Sequence, residues 1–455
     1  MFDSTNPATG EKVATHPELT DDELEERIAK AHATFRSWRN SSYDERTALL
    51  DRIADVYEAN VDDLALTITK EMGKPIEAAK GEIRKSATAF RYYAKNGPAL
   101  LEPKEYDLGD GKRAVARYLP QGVVLAVMPW NFPHWQVVRF LAPAIMAGNV
   151  GLLKHASICQ GVAQDIERIV LDAGAPEGLF QNLAIKSDKV DGVIADDRIV
   201  AATLTGSEGA GRAVAASAGH HLKKVVLELG GSDPFIVMPS ADMDAAVEQA
   251  VTARVQNAGQ SCICGKRLIL HADIHDDFLA RYAEAMKAVK VGDPMDSSND
   301  IGPLSSFDQR DTVVKQLEDA KSRGATLMFG GEALDGPGAY MSPGILTGVD
   351  PKSDLMSEEI FGPVMMVFRA DNIDEAIEIA NAIPFGLGSS VWTEDAGERE
   401  RFIRDIEAGM TAINQITASA PEAPFGGVKR SGHGRELGPH GLHEFMNLKT
   451  VFLSD

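Results

Sequence analysis

Three times between residues 122 and 220, a short apolar run breaks into a polar or glycine-bearing loop that opens a helical pattern. Gly122 to Val127 leads into Met128-Pro-Trp-Asn-Phe-Pro133, and the helical pattern that follows passes Arg139 and Pro143 and ends at Gly148. Val150 to Leu153 ends in Lys154-His-Ala-Ser157. Ile199 to Leu204 ends in Thr205-Gly-Ser-Glu-Gly-Ala-Gly211, before a helix that runs to His220. Strand, loop and helix at this spacing predict a parallel sheet flanked by helices, because parallel neighbours need a long crossover between them. Ligands of such sheets bind beyond the carboxyl ends of the strands, where all three loops fall.

The pattern then restarts. Val225 to Leu229 closes the first unit with Glu228-Leu-Gly-Gly231, and a boundary near 228–232 precedes a second α/β unit. Its predicted parts are Phe235 to Val237, a helix over 242–258, Leu268 to Leu270, a helix over 275–289, Ala325 to Phe329, Val364 to Phe368, a helix over 373–382 and Ser389 to Trp392. The first hundred residues read as helices. One starts at the capping box Thr20-Asp-Asp-Glu23, one near Tyr43, one ends near Gly73-Lys-Pro75, and helical pattern resumes from Lys85 to Tyr93. Residues 105–119 read as a β-hairpin, either an oligomerisation arm or a plain surface hairpin. The terminal strand Thr450 to Leu453 needs a partner, which that hairpin offers in this or another subunit. The predicted organisation is 1–104 with 120–227, then 228–423, with 105–119 and 424–455 forming an arm and C-terminal segment.

Charge and cysteine content narrow the setting. Among 455 residues the formal net charge is −21, which repels nucleic acid and anionic membranes. No apolar run reaches spanning length, and the N-terminus lacks the basic and apolar stretches of a signal peptide. Three cysteines cannot form a disulfide framework. A soluble, cytoplasmic protein is expected.

Two of those cysteines, Cys262 and Cys264, lie in Gln256-Asn-Ala-Gly-Gln-Ser-Cys-Ile-Cys-Gly-Lys-Arg267. Gly259 and Gly265 suggest a bent backbone that something approaches closely. Lys266 and Arg267 are cations of the kind that favours a thiolate, so Cys262 is a candidate nucleophile; a pair of buried thiols is the plainer alternative. Asn131, stiffened by Pro129 and Pro133, could donate to an oxyanion or be a turn asparagine. Glu228, before Gly230-Gly231, is either a general base or one more solvated carboxylate. The turn Gly206 to Gly211 could meet a phosphate at the helix end, but lacks the usual dinucleotide spacing. Cys159 reads as core, and no third or fourth ligand beside Cys262 and Cys264 suggests a metal.

Together, Pro129-Trp-Asn-Phe-Pro133, Glu228-Leu-Gly-Gly231, Gly259-Gln-Ser-Cys262, Glu358-Glu-Ile-Phe-Gly-Pro363 and Pro424-Phe-Gly-Gly427 resemble the aldehyde dehydrogenase superfamily, in its order and approximate spacing. Within it, Leu153-Lys-His-Ala156, Leu229-Gly-Gly-Ser-Asp-Pro-Phe235 and the Cys-x-Cys pair resemble bacterial succinate-semialdehyde dehydrogenases. The resemblance implies two Rossmann-like α/β domains, the first binding cofactor and the second carrying the nucleophile, plus a small β arm for a homodimer or homotetramer. It implies Cys262 as nucleophile, Asn131 and the Cys262 N–H as oxyanion donors, and Glu228 as the base that hydrolyses a thioester. Cofactor contacts would come from Trp130, Lys154, Ser157, Gly206, Ser207, Leu229, Glu359 and Phe361. Ser157 stands where many NAD-preferring relatives have a glutamate, so NADP is expected over NAD. Substrate contacts would come from Arg139, Trp135, Ser419, Gln256 and Ser261. Arg139 and Ser419 match two members of the family's carboxylate clamp, while Gln256 stands at the second arginine. Succinate semialdehyde is the expected substrate, another short aldehyde the alternative, and a catalytically silent protein of this fold the reading from a different class. Cys264 is a candidate redox partner for Cys262.

Overall fold

The computed structural model describes residues 1–454 of the chain. Two open sheets dominate it. The first runs Phe180–Asn182, Val150–His155, Val123–Met128, Ile199–Gly206, Lys224–Leu229 and Gly432–His433 across six strands, all parallel except the last. Its central runs are apolar without alternation because helices cover both faces. Val123, Val124, Leu125 and Ala126 are fully buried. The second sheet has seven strands, with Pro234–Val237, Arg267–His271, Val364–Ala370 and Ser390–Trp392 at its parallel centre and Thr326–Phe329 antiparallel at one edge. The chain leaves the first sheet at Leu229 and enters the second at Pro234, so Gly230 to Asp233 form the crossing.

Capping chemistry sets where the early helices begin. Thr20 and Glu23 close a reciprocal capping box on Asp21–Trp38, and Ser42 with Glu45 does the same for Tyr43–Ala59. The helical run around Lys85 extends much further than 85–93, from Ile76 to Leu100. The helix Trp135–Ala147 is buried at every position, wedged between that long helix and the first sheet. An N-terminal hairpin (Phe2–Thr5 with Lys12–His16), the strands Phe180–Asn182 and Gly344–Thr347, and the helix Phe307–Ser322 had no clear sequence signal. Short strands and polar helix faces leave little periodicity to read.

The hairpin Lys104–Gly109 and Lys112–Pro120 is closed by Met446–Ser454 of the same chain, in unbroken register from Met446 opposite Pro120 to Ser454 opposite Lys112. The segment before it differs from the predicted grouping of 424–455. Gly432–His433 joins the first sheet, with Gly432 opposite Glu228, and Phe425, Leu437, Leu442 and Phe445 bury into that sheet's core. Those apolar side chains hold 424–445 against the first sheet, and only the last strand belongs to the arm. No helix among the described residues is long and apolar enough to cross a membrane.

Candidate active site

Cys262 sits on a loop held in an uncommon backbone shape. Asn257, Ala258 and Gly259 follow one another with φ of 54°, 55° and 77°. Left-handed backbone disfavours a Cβ, yet here only the third of these residues is glycine. At Gly259 a Cβ would lie 2.2 Å from the Gly362 carbonyl oxygen, so glycine is required there. The amine of Lys266 binds the loop from below, donating to the carbonyls of Ser261 (2.9 Å) and Cys262 (2.7 Å) and pairing with Glu359 at 3.0 Å.

The two cations that follow the cysteines do not make a ready thiolate. Arg267 points away and donates to the carbonyls of Ser232, Ile379 and Ala380. Lys266 is spent on the loop carbonyls and Glu359. Burial pushes the Cys262 thiol up to about 12, against smaller opposing effects of Arg139 and Lys266. Desolvation of the charged form wins over neighbouring charge, so the resting sulfur is a thiol that needs a base.

Glu228 ends its strand beside the crossing. It is 2% exposed, and neither carboxylate oxygen has a hydrogen-bond partner among the described residues. Burial first, then the neighbouring Glu436, holds its carboxyl well above the usual range. A carboxyl raised in this way is a stronger proton acceptor once ionised. Asn131 donates one amide N–H to the Gln260 carbonyl at 3.2 Å, leaving a second. The amide N–H of Cys262 makes no hydrogen bond among the described residues.

Two cavities meet at the sulfur. A crevice of about 270 Å³ opens at the carboxyl ends of the first sheet and is lined by Cys262, Glu228, Asn131, Trp130, Gly206, Ser207, Leu229, Glu359 and Phe361. Trp130 and Phe361 meet edge to face, with centroids 5.7 Å apart. Ser207 caps the helix Glu208–His220 by accepting from the Ala210 N–H, which leaves that helix end facing the crevice. Trp130 and Gln309 continue into a shallower cavity that holds Ser157. Lys154 is 8% exposed and makes no ion pair or hydrogen bond among the described residues; burial lowers its amine from the ordinary range. A helix N-terminus and an aromatic wall on the crevice, with Ser157 on the adjoining cavity, suit an anionic dinucleotide, while Lys154 sits at the end of a neighbouring strand and lines neither cavity.

The second cavity, about 260 Å³, reaches Cys262 from the other side and brings together Arg139, Trp135, Ser419, Gln256 and Ser261. Here the expected clamp meets a competing carboxylate. Arg139 borders the cavity, but its Nε lies 2.7 Å from Glu436 Oε2, a charge contact outside aligned hydrogen-bond geometry, and its guanidinium packs on the Phe425 ring. Its charge is therefore already countered by a carboxylate from the C-terminal segment. Sequence reasoning missed three further cavity residues: Lys85, and the buried pair Lys74 and Glu82. They lie on or next to a helix of ordinary amphipathic pattern, far along the chain from Cys262, and nothing local marks them. Cys264 is buried beneath the loop with its thiol 3.6 Å from the Gln256 carbonyl, and all three cysteines are free thiols. No group of three His, Cys, Asp or Glu side chains among the described residues is arranged to hold a metal ion.

The description "Aldehyde dehydrogenase family" matches residues 1–451. The chain is 54% identical over 451 residues to a Mycobacterium tuberculosis protein named succinate-semialdehyde dehydrogenase (NADP+) 1, with 99% of each chain covered. It is likewise 54% identical to the succinate-semialdehyde dehydrogenase (NADP+) of Mycobacterium avium, covering 98% of this chain and 96% of that one. Among solved structures, succinic semialdehyde dehydrogenase from Streptococcus pyogenes in complex with NADP+ superposes with a TM-score of 0.97 at 38% identity, covering 100% of both chains.

Proposed function

The chain belongs to the aldehyde dehydrogenase family, and from that premise we propose that it oxidises succinate semialdehyde to succinate with NADP preferred over NAD. The observation that carries this is the position of Cys262 on the walls of both cavities. A carbon bonded to that sulfur would face the substrate cavity on one side and the dinucleotide crevice on the other. The relatives named for this substrate and cofactor, at 54% identity over the full length, support the choice.

The chemistry follows from the residues. Glu228, on the crevice wall, accepts the thiol proton that burial holds on Cys262. The sulfur adds to the aldehyde carbon, and the carbonyl oxygen becomes an oxyanion held by the Asn131 amide and the Cys262 N–H. When bound in the crevice, NADP supplies the hydride acceptor; Trp130, Ser207, Leu229, Glu359 and Phe361 would hold it there, with Lys154 and Ser157 toward the 2′-phosphate. Loss of hydride from the tetrahedral carbon leaves a thioester on Cys262. Once Glu228 has released the thiol proton to solvent, it takes a proton from water as the water oxygen attacks the thioester; the carbon–sulfur bond breaks, the Cys262 sulfur leaves as thiolate and is reprotonated, and the carboxylate departs. A glutamate in place of Ser157 would repel the 2′-phosphate, so its absence favours NADP.

The arm supports a homodimer or homotetramer, because Leu448, Phe452 and Leu108 lie 55%, 75% and 52% exposed on one three-stranded sheet. Free thiols suit a cytoplasmic setting. Initial rates on succinate semialdehyde and on butanal, each with NADP and with NAD, test the proposal. The expected order has succinate semialdehyde with NADP highest in kcat/KM. Equal efficiency on both aldehydes would overturn the substrate, and an NAD preference would overturn the cofactor.

A further inference from the structure

Four charged side chains line the substrate cavity: Lys74, Glu82, Lys85 and Arg139. Two of the three cations are already countered. Lys74 forms a buried ion pair with Glu82 Oε2, while Glu82 Oε1 accepts from the backbone N–H groups of His134 and Trp135 at 2.9 and 3.0 Å. Arg139 is paired with Glu436. Lys85 alone has no carboxylate partner among the described residues. Its amine donates to Ser419 Oγ at 3.0 Å and lies 4.4 Å from the Trp135 ring centroid. Ser419 Oγ also accepts from Trp135 Nε1 at 2.9 Å, so with two donors on its oxygen the serine hydrogen is free to point at a further acceptor.

Lys85, Ser419 and Trp135 thus form one polar corner in a cavity whose other walls include Phe132, Ile263, Ile416 and Phe425. The corner holds one net positive charge and one unused hydroxyl donor, a set that matches a carboxylate. We propose that Lys85, with the Ser419 hydroxyl, binds the distal carboxylate of the aldehyde substrate and supplies the cation that Gln256 does not. Trp135 fixes the geometry: its indole N–H holds Ser419, and its ring face supports the ammonium. The inference rests on the proposed substrate class and adds the residue that selects it.

The test compares parent, Lys85→Met and Lys85→Arg on succinate semialdehyde and butanal at saturating NADP. A charge-assisted hydrogen bond predicts that Lys85→Met raises KM for succinate semialdehyde about ten- to a hundredfold, with kcat changed far less and butanal kinetics shifted by no more than about threefold. Lys85→Arg keeps a cation and should recover most of the KM. If Lys85→Met loses equally on both aldehydes, or loses nothing on succinate semialdehyde, the role of Lys85 is overturned. Lys85→Arg guards against misfolding: a folded arginine variant whose KM matches the methionine variant also overturns it. A parent enzyme that does not favour succinate semialdehyde over butanal sinks the substrate reading instead, so the two failures are distinguishable.

Discussion

Replacing Arg139 by methionine keeps most of the side-chain volume and removes the charge. Arg139 and Glu436 are 2% and 5% exposed, with Nε 2.7 Å from Oε2, so the variant leaves Glu436 buried beside Glu228, another carboxyl without a partner. Deleting one member of a buried pair costs about 3–5 kcal/mol when the other stays charged. Protonation offers Glu436 an escape. From an ordinary value of 4.5, taking up a proton costs roughly 1.4 kcal/mol per pH unit, or about 3.4 kcal/mol at neutral pH. Because burial already raises Glu436 in the parent, part of that cost is present there too, so the loss at neutral pH should stay below about 3.4 kcal/mol and shrink in acid.

The sign follows from linkage. Burial already holds Glu436 above its ordinary value, so above that value the folded protein keeps a proton that the unfolded chain releases, and stability falls as pH rises. Without Arg139 the folded-state value climbs further, and the fall continues to higher pH. Thermal unfolding of the parent, Arg139→Met and Arg139→Met with Glu436→Gln, followed by intrinsic fluorescence at about pH 5.5 and about pH 7.5, reads this directly. The single variant should show a larger Tm deficit at the higher pH, and the double variant should recover most of it. An equal deficit at both pH values, or a double variant no more stable than the single, would refute the reasoning.

Two predictions concern catalysis. In Glu228→Gln both the Cys262 thiol and the hydrolytic water lose their base, so the first NADPH per Cys262 should itself form about 10²- to 10⁴-fold more slowly; stopped-flow absorbance showing a full, rapid burst followed by slow turnover would confine Glu228 to the hydrolysis step. Lys85 faces Glu82, Lys74 and Arg139, and burial lowers its amine to about 8. As pH rises through that value the cation is lost, so kcat/KM for succinate semialdehyde relative to butanal should decline, whereas Cys262 and Glu228 titrate for both aldehydes and cancel in the ratio. A ratio flat across that range would count against a Lys85 ammonium at the carboxylate.

The parts of the fold legible in the sequence are those that local chemistry or full burial dictates. The runs Val123 to Val127 and Ile199 to Leu204 are apolar throughout because helices cover both faces of their sheet, and that signature survives without any tertiary information. Thr20 with Glu23 marks a helix start because both hydrogen bonds of the box close within four residues. Phe180–Asn182 is too short to show a period, and the path of 424–445 depends on Phe425 and Phe445 finding the first sheet. No spacing rule encodes that choice.

The candidate site divides along the same line. Glu228 and Asn131 were readable because they lie at or just past a strand end, and Cys262 because it lies in the loop before one, each close to glycine or proline, where the backbone itself advertises the position. Charge balance was not readable, because it is set by which segments meet. Lys266 and Arg267 adjoin the cysteines in sequence yet spend themselves on carbonyls and Glu359, while Arg139 is answered by Glu436 from almost 300 residues away. Lys74 and Glu82 cancel within one segment, and the cation left over is Lys85. Selectivity for a carboxylate therefore rests on a residual charge. A lysine keeps its effect at that corner only because every other cation in the cavity has been neutralised by folding. Removing Glu82 or Glu436 would free a second cation in the cavity, which should blur discrimination by position even while it strengthens anion binding overall.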